Sequence, residues 1–163
     1  MDVTLPDSLR VQRISSDLFK IPLPSGSVYT HLLWQTDLPS VRFGHEWVVI
    51  CVPLKQFIDV CIDPYIKMIE SAEQLTVEKR EEYIKGQNPE CYNMPMPRIG
   101  FRCRESINTS FMGLVSKKQY VWSVGFVDGR HRTRIAEHLG AQYIPIQISK
   151  FEVVPLRKHL GLQ

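Results

Sequence analysis

Apolar positions change their spacing several times along the chain, and each change predicts an element. After a polar start, KIPLPSGS supplies Pro22, Pro24 and Gly26, and VYTHLLWQTD follows with β-branched and aromatic residues, so an early hairpin is predicted. His31 lies in its second strand, where a histidine satisfied on a sheet face is a better reading than a ligand. From His45 the run EWVVICVPL is almost continuously apolar and stops at Pro53, which predicts a central strand. The spacing then becomes three and four, with Phe57, Ile58, Cys61 and Ile62 followed by Tyr65, Ile66 and Ile69, and helical faces are expected up to Gln87. Asp63-Pro64 marks one helix start by cap and proline, and Thr76 opens a second, TVEKREEYIKG, closed by Gly86. Its charge run EKREE reads as a solvated face.

The segment NMPMP, Asn93 to Pro97, breaks the chain. RIGFRCRE then alternates Ile99, Phe101 and Cys103 with Arg98, Arg102 and Arg104, so period two assigns the arginines to one sheet face. Such a face suits either an edge strand kept soluble by charge or a phosphate-facing surface. SINTSFMGLVSKKQ is expected to be a long loop, and its Lys117 and Lys118 add two cations. Tyr120 to Val127 predicts a strand, Asp128-Gly129 a tight turn, Arg130 to Leu139 a helix closed by Gly140, and Tyr143 to Ile148 another strand.

The chain of 163 residues, 44% hydrophobic and 23% charged, has the length and mix of one soluble domain. Its net charge of +3 conceals a division. Up to residue 97 there are 9 basic and 13 acidic residues, net −4; beyond it there are 11 and 4, net +7. The basic part suits an anionic partner. Cysteines 51, 61, 91 and 103 have no C-x-x-C spacing and no nearby histidine, so no structural zinc is expected; Cys51 and Cys61 read as core thiols. No basic-then-apolar leader and no run of about 18 apolar residues is present, which predicts a cytoplasmic protein without membrane insertion.

Candidate chemistry concentrates behind Gly129. A helix start points its N–H groups, and the positive end of its dipole, at whatever lies beyond the strand. Arg130, His131, Arg132 and Arg134 add cations where acidic residues are normally preferred, a conflict that a bound phosphate would remove. Gly129, Arg130, His131, Arg132, Thr133 and Arg134 are therefore the candidate phosphate-binding set. Imidazoles titrate near neutrality, which makes His131 a candidate for proton transfer as well as a phosphate donor. Asp128 either caps the helix or holds a magnesium ion or a water beside the phosphates. Asp128, His131 and Arg132 are the candidate catalytic residues. Arg98, Arg102, Arg104, Lys117 and Lys118 are candidate DNA contacts. Arg130, Arg134 and His138 share a helix face at four-residue steps, and Glu137 is placed to pair with Arg134. Trp34, Trp47 and Trp122 are candidate contact aromatics, though core packing is the better reading of each.

Gly129, Arg132, Arg134, Ala136, Gly140, Ile144-Pro145 and Ile146-x-Ile148 together resemble the ParB box, G-E-R-R-x-R-A followed by A-G and I-P-V-x-V. The order upstream is also similar: a strand ending at Val52 to Leu54, helices to Gly86, then a strand from Arg98. The resemblance to the ParB/sulfiredoxin superfamily spans roughly residues 45–150 and is specific over 126–148. It implies a compact α+β fold, a mixed sheet with helices, with 1–44 as an N-terminal extension packed on it and 151–163 as a tail.

Departures narrow the expectation. Arg130 replaces the glutamate of the ParB box and His131 its first arginine, which counts against CTP hydrolysis of that kind. Gly129, His131 and Arg132 match sulfiredoxin G-C-H-R, but Arg130 replaces the catalytic cysteine, so sulfinic acid reduction is not expected. The short D-G-R-H-R-T-R version is similar to the plasmid fertility inhibition factors. That resemblance implies a plasmid-encoded bacterial protein that blocks transfer of DNA or a nucleoprotein through a type IV secretion system. It also implies ATP hydrolysis and DNA cleavage, with ATP and possible Mg2+ as cofactors and DNA, the secretion coupling protein or the transferred nucleoprotein as partners. The alternatives are a non-catalytic module that binds the coupling protein, a ParB-like nucleotide-dependent DNA binder and a small-molecule kinase.

Overall fold

The computed structural model describes residues 10–36, 41, 42, 44–61, 71–109 and 116–162. The early hairpin forms from strands β2 (Leu18–Pro22) and β3 (His31–Gln35), which pair antiparallel. Their alternation buries Phe19, Ile21, Leu32 and Trp34 on one face. The short strands β1 (Gln12–Arg13) and β6 (Met94–Pro95) complete a four-stranded sheet in the order β1-β2-β3-β6. NMPMP thus contributes a strand as well as a break, and it pairs parallel with β3.

The second sheet has the order β4-β5-β9-β7-β8, from β4 (Val41–Arg42), β5 (His45–Pro53), β7 (Arg98–Thr109), β8 (Ser116–Asp128) and β9 (Tyr143–Ser149). Strand β9 lies between β5, its antiparallel neighbour, and β7, its parallel one. Ile144, Ile146 and Ile148 are fully buried, each contributing about 1.5–3 kcal/mol through burial. Mixed pairing with helices confirms the α+β class read from the sequence.

Among the described residues four α-helices are interspersed with the strands: α1 (Leu54–Val60), α2 (Val77–Lys85), α3 (Arg130–His138) and α4 (Val153–His159). Helix α1 buries Leu54, Phe57 and Ile58, and Phe57 meets Phe126 of β8 edge-on at 5.6 Å. Thr76 caps α2 by accepting from the Lys79 N–H, and no α2 residue is buried, as the solvated charge run requires. The last segment forms α4, which sends Leu156 into the core.

Several local expectations change. The segment 106–119 is not a long loop, because β7 continues to Thr109 and β8 starts at Ser116 in one antiparallel register. Cys51 is exposed: it alternates with buried Ile50 and Val52, so its side chain takes the opposite face of β5, whereas Cys61 is buried. Gly86 closes α2 in a right-handed conformation rather than as a left-handed cap. Trp122 is 43% exposed on β8, while Trp34 is fully buried. The helix start at Asp63-Pro64 lies outside the described residues.

Candidate functional site

Strand β8 delivers the site. Its last residue, Asp128, is paired with Arg98 at the start of β7, where the register shifts before Ile99. The chain then turns at Gly129, whose φ of 92° is left-handed. A Cβ there would lie 2.8 Å from the Pro97 Cα, so both conformation and space demand glycine. Asp128 accepts from the Gly129 N–H through Oδ1 at 2.6 Å and from Arg132 Nη2 through Oδ2 at 2.7 Å. Gly129, not Asp128, is the N-cap residue of α3 and no side chain caps the helix; the Asp128 carboxylate instead braces the turn against Arg132 in the first turn of α3.

Beyond that turn an open cavity of about 540 Å3 is bounded by Tyr83, Phe126, Asp128, Arg130, His131 and Arg132 among others. Arg130 is exposed; His131 is half-buried and stacked on Tyr83 with ring centres 5.4 Å apart and planes at 16°. The stacking fixes the imidazole plane at the rim of the cavity. Arg132 donates inward to Asp128, and the Arg132 carbonyl accepts from buried Gln87 at 3.3 Å. Gly129, Arg130, His131 and Arg132 are thus brought together.

Thr133 and Arg134 are not part of that wall. Thr133 is fully buried and its hydroxyl donates to the Gly129 carbonyl at 2.9 Å, holding the helix start. Arg134 pairs with Glu137 at 2.7 Å, the partner that helical spacing predicts, and borders a separate cavity with Glu73 and His138. His138 reaches Glu73 at 3.3 Å. Hydrogen bonds, foremost to its own backbone and to Ser71 and then to His138, hold the Glu73 carboxyl below its ordinary range.

The arginines of β7 divide. Arg98 leans over the Trp47 ring at 5.4 Å, whereas Arg102 is exposed farther along the hairpin. Lys118 pairs with Glu105 at 2.8 Å. The side chains of Arg104 and Lys117 lie outside the described residues; their backbones belong to β7 and β8. His31 meets Thr30 Oγ1 through Nδ1 at 2.9 Å, in keeping with a satisfied sheet-face histidine.

Sequence reading missed a second, larger cleft of about 780 Å3, which Asp128 also borders and which residues of both sheets line. Thr36, Met96, Arg98 and Gln147 form its inner wall, and Asp17, Gln35, Tyr92 and Asn93 stand around them. Gln147 is buried in an otherwise apolar strand; its Nε2 donates to Thr36 Oγ1, and Arg98 Nη2 donates to its Oε1 at 3.5 Å. The one signal in the sequence was that glutamine between two isoleucines of β9. Among the described residues, no three histidine, cysteine, aspartate or glutamate side chains gather as a metal site. No described helix is long and apolar enough to cross a membrane.

The arrangement is that of an α+β protein with a glycine-led, cation-bearing helix start at the end of a long hairpin. In overall fold the chain is similar to the solved crystal structure of Oncogenic Suppression Activity Protein, a plasmid fertility inhibition factor, in its gold(I) cyanide derivative. The match has a TM-score of 0.58 at 12% sequence identity and covers 96% of this chain and 77% of that one. No protein-family profile and no curated protein matches the chain.

Proposed function

We propose that the protein is a fertility inhibition factor of the ParB/sulfiredoxin superfamily, acting on phosphoesters at the Asp128–Arg132 cradle. The observation that carries this reading is the Gly129 turn, which puts a helix start, Arg130, His131 and Arg132 around one cavity on a fold shared with a plasmid fertility inhibition factor. In this reading the protein works in the bacterial cytoplasm and blocks passage of DNA or a nucleoprotein through a type IV secretion system.

A triphosphate fits the donor set. The first-turn N–H groups of α3 and the guanidinium groups of Arg130 and Arg132 would bind its oxygens. Asp128 supplies one carboxylate, the kind of ligand a phosphate-bound Mg2+ takes along with water. That ion would neutralise charge developing on the phosphoryl oxygens. His131, held by Tyr83, would take the proton of the attacking water as the P–O bond breaks. The exposed cations of the β7–β8 hairpin would contact a DNA backbone. Phosphate release from ATP and nicking of DNA test the reading: Arg132→Ala and His131→Ala, shown folded by circular dichroism, should abolish both. Unchanged rates in both variants would overturn it.

A second reading is favoured by the pairing of Arg132 with Asp128, which already compensates one cation of the cradle. On that reading the protein is a non-catalytic module bound to the secretion coupling protein. Inhibition of plasmid transfer would then survive Arg132→Ala.

A further inference from the structure

We infer that the cleft lined by residues of both sheets seats the nucleoside of a phosphorylated ligand whose phosphates occupy the Asp128–Arg132 cradle, with Tyr92 and Asn93 as specificity-determining residues. The inference rests on the cradle reading and extends it across Asp128, which borders both cavities.

Size and chemistry both support this occupant. A volume of about 780 Å3 falls within the roughly 300–1,000 Å3 of small-molecule sites. Its charge does not suit a second polyphosphate, since its lining holds two carboxylates, Asp17 and Asp128, against one guanidinium, Arg98. Hydrogen bonds from Ser15 and Gln35 hold the Asp17 carboxyl below its ordinary range, so it accepts hydrogen bonds at neutral pH. Carboxylates match sugar hydroxyls and exocyclic amines, while the amides of Gln35 and Asn93 offer both donors and acceptors to the edge of a base. Tyr92 is 53% exposed at the rim, a face on which a base can stack.

The inner wall is built to stay in place. A buried amide in an apolar strand is costly unless bonded, and Gln147 meets that need with Thr36 on one side and Arg98 on the other. Gln147 is thus held between Thr36 and Arg98 at the inner wall of the cleft. The nucleoside could belong to a free nucleotide or to the phosphorylated end of a nucleic acid.

Calorimetry on the full chain with inorganic tripolyphosphate, ATP and a 5′-phosphorylated oligodeoxynucleotide separates these cases. ATP, the oligonucleotide or both should bind more tightly than tripolyphosphate, and whichever does so identifies the source. Tyr92→Ala and Asn93→Ala, both at exposed positions, should weaken that ligand about tenfold, the scale of a lost stacking or hydrogen-bond contact, and leave tripolyphosphate unchanged. Arg132→Ala should weaken all three. Equal affinity for all three ligands, or variants that weaken none or weaken tripolyphosphate equally, would overturn the cleft while leaving the cradle standing. Absence of binding by every ligand would overturn the cradle and the cleft together.

Discussion

Arg132 and Arg134 stand two residues apart on α3, are equally exposed and each pair with one carboxylate at 2.7 Å, yet they belong to different surroundings. Around Arg132 the other neighbours are Arg130 and His131, and Asp128 supplies the one carboxylate of the cavity lining. Around Arg134 stand two carboxylates, Glu137 paired with it and Glu73 beside His138. A cluster of like charges in sequence is therefore two electrostatic sites in space. The first retains a use for an anion, and the second is neutralised by its own chain.

The largest effect should come from the turn that creates the first site. Gly129→Ala forces a side chain into a left-handed conformation costing about 1–3 kcal/mol, with a further clash against Pro97, and urea unfolding should show a loss of at least that size. A midpoint shift indistinguishable from zero would mean that the turn relaxes. Next, Arg132→Ala should lower phosphate release by about 100-fold or more, the scale of removing one preorganised donor, while Arg134→Ala changes it less than about twofold. Equal losses would show that the two sites act as one.

Smaller effects test the second site. The Glu73 carboxyl is depressed below its ordinary 4.5, so its contribution is present above that pH and is lost as pH falls through the lower folded value. Glu73→Gln should flatten the acid limb of thermal stability below about pH 4.5, with its small cost seen at pH 7 and vanishing as pH falls; a cost as large at pH 3 as at pH 7 would contradict this assignment. Smallest of all, a double-mutant cycle on Arg134 and Glu137 should give about 0.3–0.5 kcal/mol, as for other partly exposed helical pairs. A coupling well above 1 kcal/mol would mark Arg134 as more than a surface partner.

Elements with their own periodicity were legible before the structure: β5, the start of α1, α2 with its Thr76 cap, and the run from β8 through Gly129 and α3 to β9. Local spacing also found the Arg134–Glu137 pair. What it missed depends on partners far along the chain. Glu73 is 65 residues from His138, and Thr36 is 111 from Gln147, so neither contact leaves a mark in a short window. The ends of β7 and β8 read as loop because Ser106, Asn108, Thr109 and Ser116 to Gln119 are polar, and the cross-strand pairing that makes them strands lies outside a short window. Cys51 shows the converse: an unbroken apolar run conceals which face each residue takes until the sheet supplies a second layer.

Helix α3 ends on glycines that are both pressed by distant prolines, Pro97 at Gly129 and Pro24 at Gly140, where a Cβ would come within 2.9 Å of the Pro24 ring. Ser27 adds a hydrogen bond to the Leu139 carbonyl at 2.9 Å. The seat of the helix is thus completed only after segments more than 30 and more than 100 residues upstream have arrived. Chain-closure entropy must be met before those contacts give anything back, which assigns folding of this protein to the slower, millisecond-to-second regime of small domains. During synthesis those upstream segments emerge before α3, so the cationic helix start leaves the ribosome when the residues that seat it have already been made.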